Sequence, residues 1–323
     1  MKKFLVVGIT LLFIGIAIIP STAQNIEKSS LSRGHWLYVG GSGPGNYSII
    51  QNAVDNASNG DTVYVYSGWY DRSSGIDYCV YLNKSISLVG ENKNTTILTG
   101  SWEWAVVKIA ADDVEIKGFT IQNLEYGGRG ILTSYPEFIT RKNITIHDNI
   151  FMRNGMWGLD MVSCFNLTCY DNMFTENWVG CRVLTSGNVT LTHNFFISNE
   201  WGISIESASG IEVSWNEFKE NEYGLDNFGD GHGNALRCVS NNFIDNTIQA
   251  DFYIVFSLIH IPRMVKYRAQ WSHNYWSDWG QTSPRPIEGT LFYRNILFYY
   301  LLIKEIPWSE YDWHPVKEPY DIP

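Results

Sequence analysis

The chain is poor in charge, in clustered histidine and in paired cysteine. Charged residues make up 17% of 323, and acidic ones outnumber basic ones 33 to 23. A phosphate backbone calls for a basic face, so this composition excludes a nucleic-acid partner. The five cysteines, Cys79, Cys164, Cys169, Cys181 and Cys238, include no C-x-x-C pair and no metal-type spacing. An odd, scattered set is no disulfide framework, and small apolar filler is the role it fits. Cys169 and Cys181 are expected to face inward in one repeat and to pack together. Copper wants clustered His, Met or Cys, and no two of the seven histidines lie at a short ligand spacing. P-loop, G-x-S-x-G, H-E-x-x-H and dinucleotide motifs are all absent, so no cofactor is indicated. "GGSGPG" at 40–45 lacks the lysine of a phosphate loop and reads as a plain turn.

The N-terminus carries an address. Lys2 and Lys3 precede an apolar run from Phe4 to Ile19, followed by "PSTAQ" with small Ser21 and Ala23. The run is short of the ~20 residues of a membrane span. It reads as a cleaved signal peptide over 1–23, with a retained anchor as the alternative, and an extracellular or cell-surface location follows. Membrane contact is then expected only through this segment. Cleavage leaves 21 basic against 33 acidic residues, a net charge of -12.

What is abundant is repetition. "VTLTHNFFISNEWGISIE" (189–206) and "IEVSWNEFKENEYGLDNF" (211–228) align without a gap. Anchored on Asn149, Asn172, Asn194, Asn216 and Asn241, the steps are 23, 22, 22 and 25 residues. Phe151, Phe174, Phe196, Phe218 and Phe243 follow at two residues, and Asn154, Asn177, Asn199, Asn221 and Asn246 at five. Gly158, Gly180, Gly202 and Gly224 then mark a turn. Within each copy apolar residues alternate with polar ones, as in Ile144-Thr145-Ile146-His147, the mark of strands with one buried face. Short strands on a ~22-residue period exclude helical repeats and the ~40-residue blades of propellers. The prediction is an all-β, right-handed parallel β-helix in which each copy is one coil. The Phe positions then form an interior stack, and the Asn positions form amide ladders at the bends. The sequons at Asn143, Asn166 and Asn188 fall at one recurring bend and read as turn residues as readily as glycosylation sites.

The open ends of such a solenoid need covers. "NYSIIQNAVDNAS" (46–58) puts Ile50, Ala53, Val54 and Ala57 on one helical face and is the expected N-terminal cap. The apolar stretch 291–308 is expected to pack on the last coils, with an extended tail beyond. The expected layout is a signal at 1–23, a linker at 24–35, the capped β-helix at 36–286, and a capping segment with tail at 287–323.

"YVGGSGPGNYSIIQNAVDNASNGDTVYVYSGWY", "KSISLVGENKNTTIL" and "IKGFTIQN" resemble the opening of pectin-lyase-like β-helices. The N-x-F-x-x-N-x-x-x-G coils, "NYWSDW" and "DWHPVKEPYDIP" resemble archaeal exported members of the NosD-like family. The likeness covers roughly 36–323 and implies the fold. For function it implies either the copper handling behind the family's name or the carbohydrate binding and cleavage found on similar coils.

Three constellations carry chemistry. One outward column runs Leu132, Asp160, Arg182, Ser204, Asp226, Asp251. In it Asp226 and Asp251 fit an acid and a base or nucleophile, and Asp160 with Arg182 fits an ion pair or a lyase-like site, with Glu206 beside them. An aromatic strip of Trp157, Trp201 and Tyr223 precedes the turn glycines, with Trp178 and Trp215 near in sequence, and can stack on sugars or serve as a turn ladder. Asp230 and His232 in "GDGHGN" can hold a cation. The reading that follows is an exported β-helix binding polysaccharide or an envelope component without catalysis. The alternatives are a polysaccharide lyase or glycosidase using the Asp column, and a NosD-like copper-handling protein.

Overall fold

The computed structural model describes residues 34–71, 78–100, 104–134, 139–229, 235–256, 269–281, 283–294 and 303–323. The segment read as a signal peptide, and the Asp230/His232 loop, lie outside them. Each coil contributes one strand to each of three parallel rows, as Arg141–His147, Ile150–Met152 and Trp157–Val162 do before Cys164–Tyr170 begins the next. These rows are called A, B and C. Row B is a sheet of nine strands, while rows A and C are joined into one of 20. The join is the C-terminal hairpin, in which Ile303–Asp312 runs antiparallel to Arg285–Arg294. The right-handed parallel β-helix expected from the repeat is the fold.

Alternation fills the core as the sequence requires. Ile144, Ile146, Phe151, Leu159 and Met161 of one coil are all buried, and their equivalents stack above them. Phe151, Phe174, Phe196, Phe218, Phe243 and finally Trp276 form a column with centroid spacings of 4.6, 4.8, 5.1, 4.6 and 4.3 Å, tilted by no more than 8°. That spacing is the strand separation imposed on the rings. The turn glycines explain themselves here. A Cβ at Gly158, Gly180 or Gly202 would meet the carbonyl oxygen of the next coil's glycine at 2.6, 2.7 and 2.5 Å.

The corner from row A to row B is turned by single left-handed residues, each followed by a buried asparagine. Asp148, Asp171, His193, Trp215, Ser240 and His273 have φ between 53° and 58° at the corner from row A to row B. The conformation costs a non-glycine residue roughly 1–2 kcal/mol. The asparagine that follows offsets it. Asn172 Nδ2 donates to Tyr170 O (2.8 Å), Ile146 O (3.0 Å) and Asn194 Oδ1 (3.0 Å), while its backbone N–H donates to Asn194 Oδ1 (3.1 Å). This pattern repeats from Asn149 to Asn274 and ends on the carboxylate of Asp312, which accepts from Asn274 N (3.0 Å), Asn274 Nδ2 (3.1 Å) and Trp276 Nε1 (3.1 Å). A second ladder runs from Asn154 to Asn246 and ends on Gln249 Oε1 (2.7 Å). The sequon bend is an exposed third ladder, Asn188 to Asn166 (3.1 Å) to Asn143 (2.7 Å) to Asp113 (2.8 Å).

Helix Ile50–Asn56 lies against the first coils with Ile50, Ala53 and Val54 buried. Gln51 serves the open edge of row C: its Oε1 accepts from Tyr81 N (2.7 Å) and its Nε2 donates to Tyr81 O (3.3 Å). Lys84 Nζ closes the helix C-terminus on Val54 O, Asp55 O and Ala57 O. The tail beyond Asp312 is extended, with Val316 bridging to Tyr275 and Tyr320 exchanging hydrogen bonds with Asn242. Among the described residues no helix is long and apolar enough to cross a membrane.

Candidate functional site

Row C carries the column read from the sequence. Strand pairing places Leu132, Asp160, Arg182, Ser204, Asp226 and Asp251 in direct succession. Lys108 and Tyr81 extend it toward the N-terminal end. The column is not, however, a solvated face throughout. Lys108, Leu132 and Asp160 are each 0–1% exposed, because Ala105, Leu132 and Val162 form a small apolar cluster on the outer side of the sheet.

Asp160 therefore sits inside a closed ion network rather than at a reactive surface. Arg129 Nε reaches its Oδ2 at 3.1 Å, and Arg182 Nη1 its Oδ1 at 3.5 Å. Arg182 in turn grips Glu206 with two bonds, at 2.7 and 3.1 Å. Burial pushes the Asp160 carboxyl up, and Arg182 and Arg129 oppose that push. Both guanidiniums lie over the indole of Trp157, at 4.5 and 4.6 Å. Removing either partner would leave a charge buried and unpaired, so the network orders the sheet; the acid–base site read at Asp160 and Arg182 is an ion pair.

The aromatic strip forms a ladder along the turn. Trp157, Val179, Trp201, Tyr223 and Ile248 are in register. Stacked coils turn ring faces toward one another, not toward solvent. Trp157 is sandwiched by guanidiniums, and Trp201 lies 5.3 Å from Tyr223 at 12° with Trp178 edge-on at 5.6 Å. Ring faces of Trp157 and Trp201 are thus covered by neighbouring side chains, while Trp178 is exposed. Trp215 is elsewhere, at the corner from row A to row B, 6.3 Å from His193 and 4.9 Å from Tyr320.

Asp226 and Asp251 are different. Asp251 is only 8% exposed. The two carboxyls are register partners on neighbouring strands, and Tyr253 lies two residues past Asp251 on the same strand. Their Oδ1 atoms are buried with no hydrogen-bond partner among the described residues. Burial, then Asp251 and Glu206, push Asp226 up to about 8. Burial raises Asp251 to about 6 against its bonds to Tyr253 and Asp226. The pair thus keeps one proton at neutral pH. A groove of about 450 Å³ opens beside Asp251 and Tyr253, lined further by Asp278, Arg285 and Glu288.

Two participants escaped the sequence reading. Arg129 occupies the strip position one coil before Trp157, and "RGIL" beside "WGLD" is the signal that would have found it. Tyr253 lies two residues past Asp251 and had no repeat partner to mark it.

The residues fit a thiolate copper centre poorly. All five cysteines are buried free thiols. Burial pushes Cys164 up to about 12, and Cys169, Cys181 and Cys238 are raised as well. Cys169 and Cys181 are near enough for one to act on the other's titration, as core neighbours. Among the described residues no three or more His, Cys, Asp or Glu side chains converge as a metal cluster.

A single-chain solenoid of 22-residue coils, laddered by asparagine and bearing its polar constellation on one outer sheet, defines a class of parallel β-helix proteins. Within that class the profile of NosD, described as a periplasmic copper-binding protein, matches residues 54–280, and the chain belongs to this family. Among solved structures, the A-module of the Azotobacter vinelandii mannuronan C-5 epimerase AlgE4 is similar at 15% identity and TM-score 0.41, over 76% of this chain and 83% of that one. The A-module of AlgE6 from the same organism gives 14% and 0.43, over 76% and 85%. Pectin methylesterase PemA of Erwinia chrysanthemi gives 10% and 0.31, over 73% and 80%. No curated protein sequence matches.

Proposed function

We propose that this protein is an exported β-helix that engages a polysaccharide along the outer face of row C, and that Asp226 and Asp251 perform acid–base chemistry on it there. The observation that carries this reading is the carboxyl pair beside an open groove, raised in its titration while, among the described residues, the buried carboxylates of Asp61, Asp160, Glu310 and Asp312 accept hydrogen bonds from N–H groups. Perturbed acids of this kind, partnered by each other and not by a cation, mark functional sites more often than structural ones. A linear polymer is the ligand whose shape matches a column of side chains repeating every ~4.8 Å.

The geometry also narrows the reaction. Retaining glycosidases hold their two carboxyls ~5–5.5 Å apart and inverting ones further. Asp226 and Asp251 stand directly opposite each other on neighbouring strands, side by side on one face and not on either side of a substrate. The pair instead presents one carboxylate and one proton to the same face of a substrate. Asp251 accepts a proton from the substrate while Asp226 returns one to the oxygen that takes up charge or leaves. That favours proton abstraction with elimination over hydrolysis. The ring faces of Trp157 and Trp201 being occupied, binding is assigned to the polar groove around Tyr253, Arg285 and Glu288.

The test is the purified chain against acidic and neutral polysaccharides, reading retention together with new unsaturated and reducing ends. The expected result is unsaturated ends that disappear in Asp226→Asn and Asp251→Asn. Retention without any product, or product unchanged in both variants, overturns the catalytic role. No retention and no product on any polymer overturns the whole reading.

A further inference from the structure

The second asparagine ladder is interrupted at its N-terminal end, and the interruption builds a groove. From ladder asparagine to turn glycine the chain takes three steps between Asn177 and Gly180, and seven between Asn123 and Gly130. The extra residues form a tight turn. Gly128 N–H donates to Glu125 O at 2.9 Å, Gly127 has φ 83°, and Tyr126 stands at the tip, wholly exposed. Both feet of the turn are tied to the next coil, Gly155 N–H to Asn123 O and Met156 N–H to Gly128 O, each at 2.9 Å. We propose that the groove beside this turn, at the corner from row B to row C, is a carbohydrate site for a neutral oligosaccharide. It shares no lining residue with the groove beside Asp251 and does not rest on the chemistry read there.

The insertion carries a cost that a plain repeat avoids. In the later coils each asparagine Oδ1 accepts from the asparagine before it, as Asn177 Oδ1 does from Asn154 N (3.0 Å) and Nδ2 (2.9 Å). Asn154 Oδ1, the first after the insertion, is buried with no hydrogen-bond partner among the described residues. A buried acceptor left open is destabilising. Gly155 admits the turn, since a Cβ there would meet Glu125 O at 2.0 Å. An insertion confined to one coil, held in place and fitted by its neighbour at the expense of the ladder, is where a repeat protein places a binding loop.

The lining names the ligand. The groove holds about 700 Å³, the size of a small-molecule site. Its walls carry Tyr126 and the exposed Trp178, which meets Trp201 at 78° and so stays clear of a face-to-face stack. Open aromatic rings take the apolar C–H face of a pyranose. Arg153 and Glu176 neutralise each other at 2.7 Å, and Glu200 leaves the groove with a surplus negative charge. That surplus opposes an anionic sugar. The Glu200 carboxylate and the Ser198 hydroxyl instead meet the hydroxyl rim of a neutral one.

The experiment titrates the full chain calorimetrically with neutral hexasaccharides of glucose, mannose and galactose, and with a galacturonate hexamer as the anionic probe. At least one neutral hexamer is expected to bind, more tightly than the anionic one. Tyr126→Ala and Trp178→Ala should each weaken it about fivefold to tenfold, while Tyr126→Phe, which keeps the ring, should bind like the parent. Together the two alanines should remove one binding equivalent. The Tyr126 ring is wholly exposed, so its loss acts on binding and leaves the Tm of the parent. Asp226→Asn should leave this equivalent in place, so the fate of the row C chemistry and that of this site are read apart. No binding of any neutral hexamer, tighter binding of the galacturonate hexamer, or an affinity unchanged in the Tyr126→Ala, Trp178→Ala double variant overturns the assignment.

Discussion

Replacing Asp226 by Asn should stabilise this protein at alkaline pH, an unusual outcome for a buried polar substitution. In the unfolded chain the carboxyl titrates near 3.8, and in the folded chain at about 8. Between those values the folded state binds more protons than the unfolded one. Stability therefore falls as pH rises through that window, and is greatest below it. A shift of one unit is worth ~1.4 kcal/mol, so the penalty at the top of the window is on the order of 5 kcal/mol. Asp251, raised to about 6, adds on the order of 3 kcal/mol by itself. The two are not additive, because each is raised partly to accommodate the other. The assay is urea denaturation of the parent, Asp226→Asn and Asp251→Asn across mildly acid to alkaline pH. Contributions of every other group cancel in the difference. The parent curve should decline with pH while that of Asp226→Asn runs flatter, the two crossing so that the variant is the more stable above neutrality. Parallel curves would mean that the carboxyls are both ionised at neutral pH, and the shared proton would fall with them.

Asn194→Ala should cost about 2–6 kcal/mol in the same assay, because it takes the side-chain partner from Asn172 N–H and from Cys169 O in the core. Asn166→Gly, in the exposed ladder and free of the left-handed penalty, should cost under about 1 kcal/mol. Equal losses would show that burial is not what gives the ladders their value. The described thiols should resist a disulfide reagent in the native state and react together only on unfolding, since all are buried; fast native labelling of any one would contradict the packing.

The repeat made the fold legible because a β-helix is close to one-dimensional. Fixing the step between Asn172 and Asn194 fixes the register of every strand between them, so the Asp160–Arg182–Ser204–Asp226–Asp251 column could be read even across the longer last coil. What the repeat cannot encode is what happens outside it. Asp160 was placed on a solvated face because alternation reports inward and outward, and says nothing of a second layer covering the outer side. The Trp157 strip stays open between sugar platform and turn ladder in the sequence, because a sequence gives positions and not ring orientations; in the fold Trp201 stacks on Tyr223 along the axis. Tyr253 and Asp312 belong to the last coils and the segment beyond, where the pattern decays and only the folded chain shows which residue arrives beside which.

The end of the inner asparagine ladder has the logic of a polymerisation. An asparagine side chain both donates and accepts, so each one hands the next coil the same unsatisfied group that it received: it propagates. Aspartate only accepts. At Asp312 the series takes three N–H groups and passes none forward. It is a termination step, and the length of the solenoid is set by one change of monomer. Asp312→Asn would put a donor where the series now ends on an acceptor.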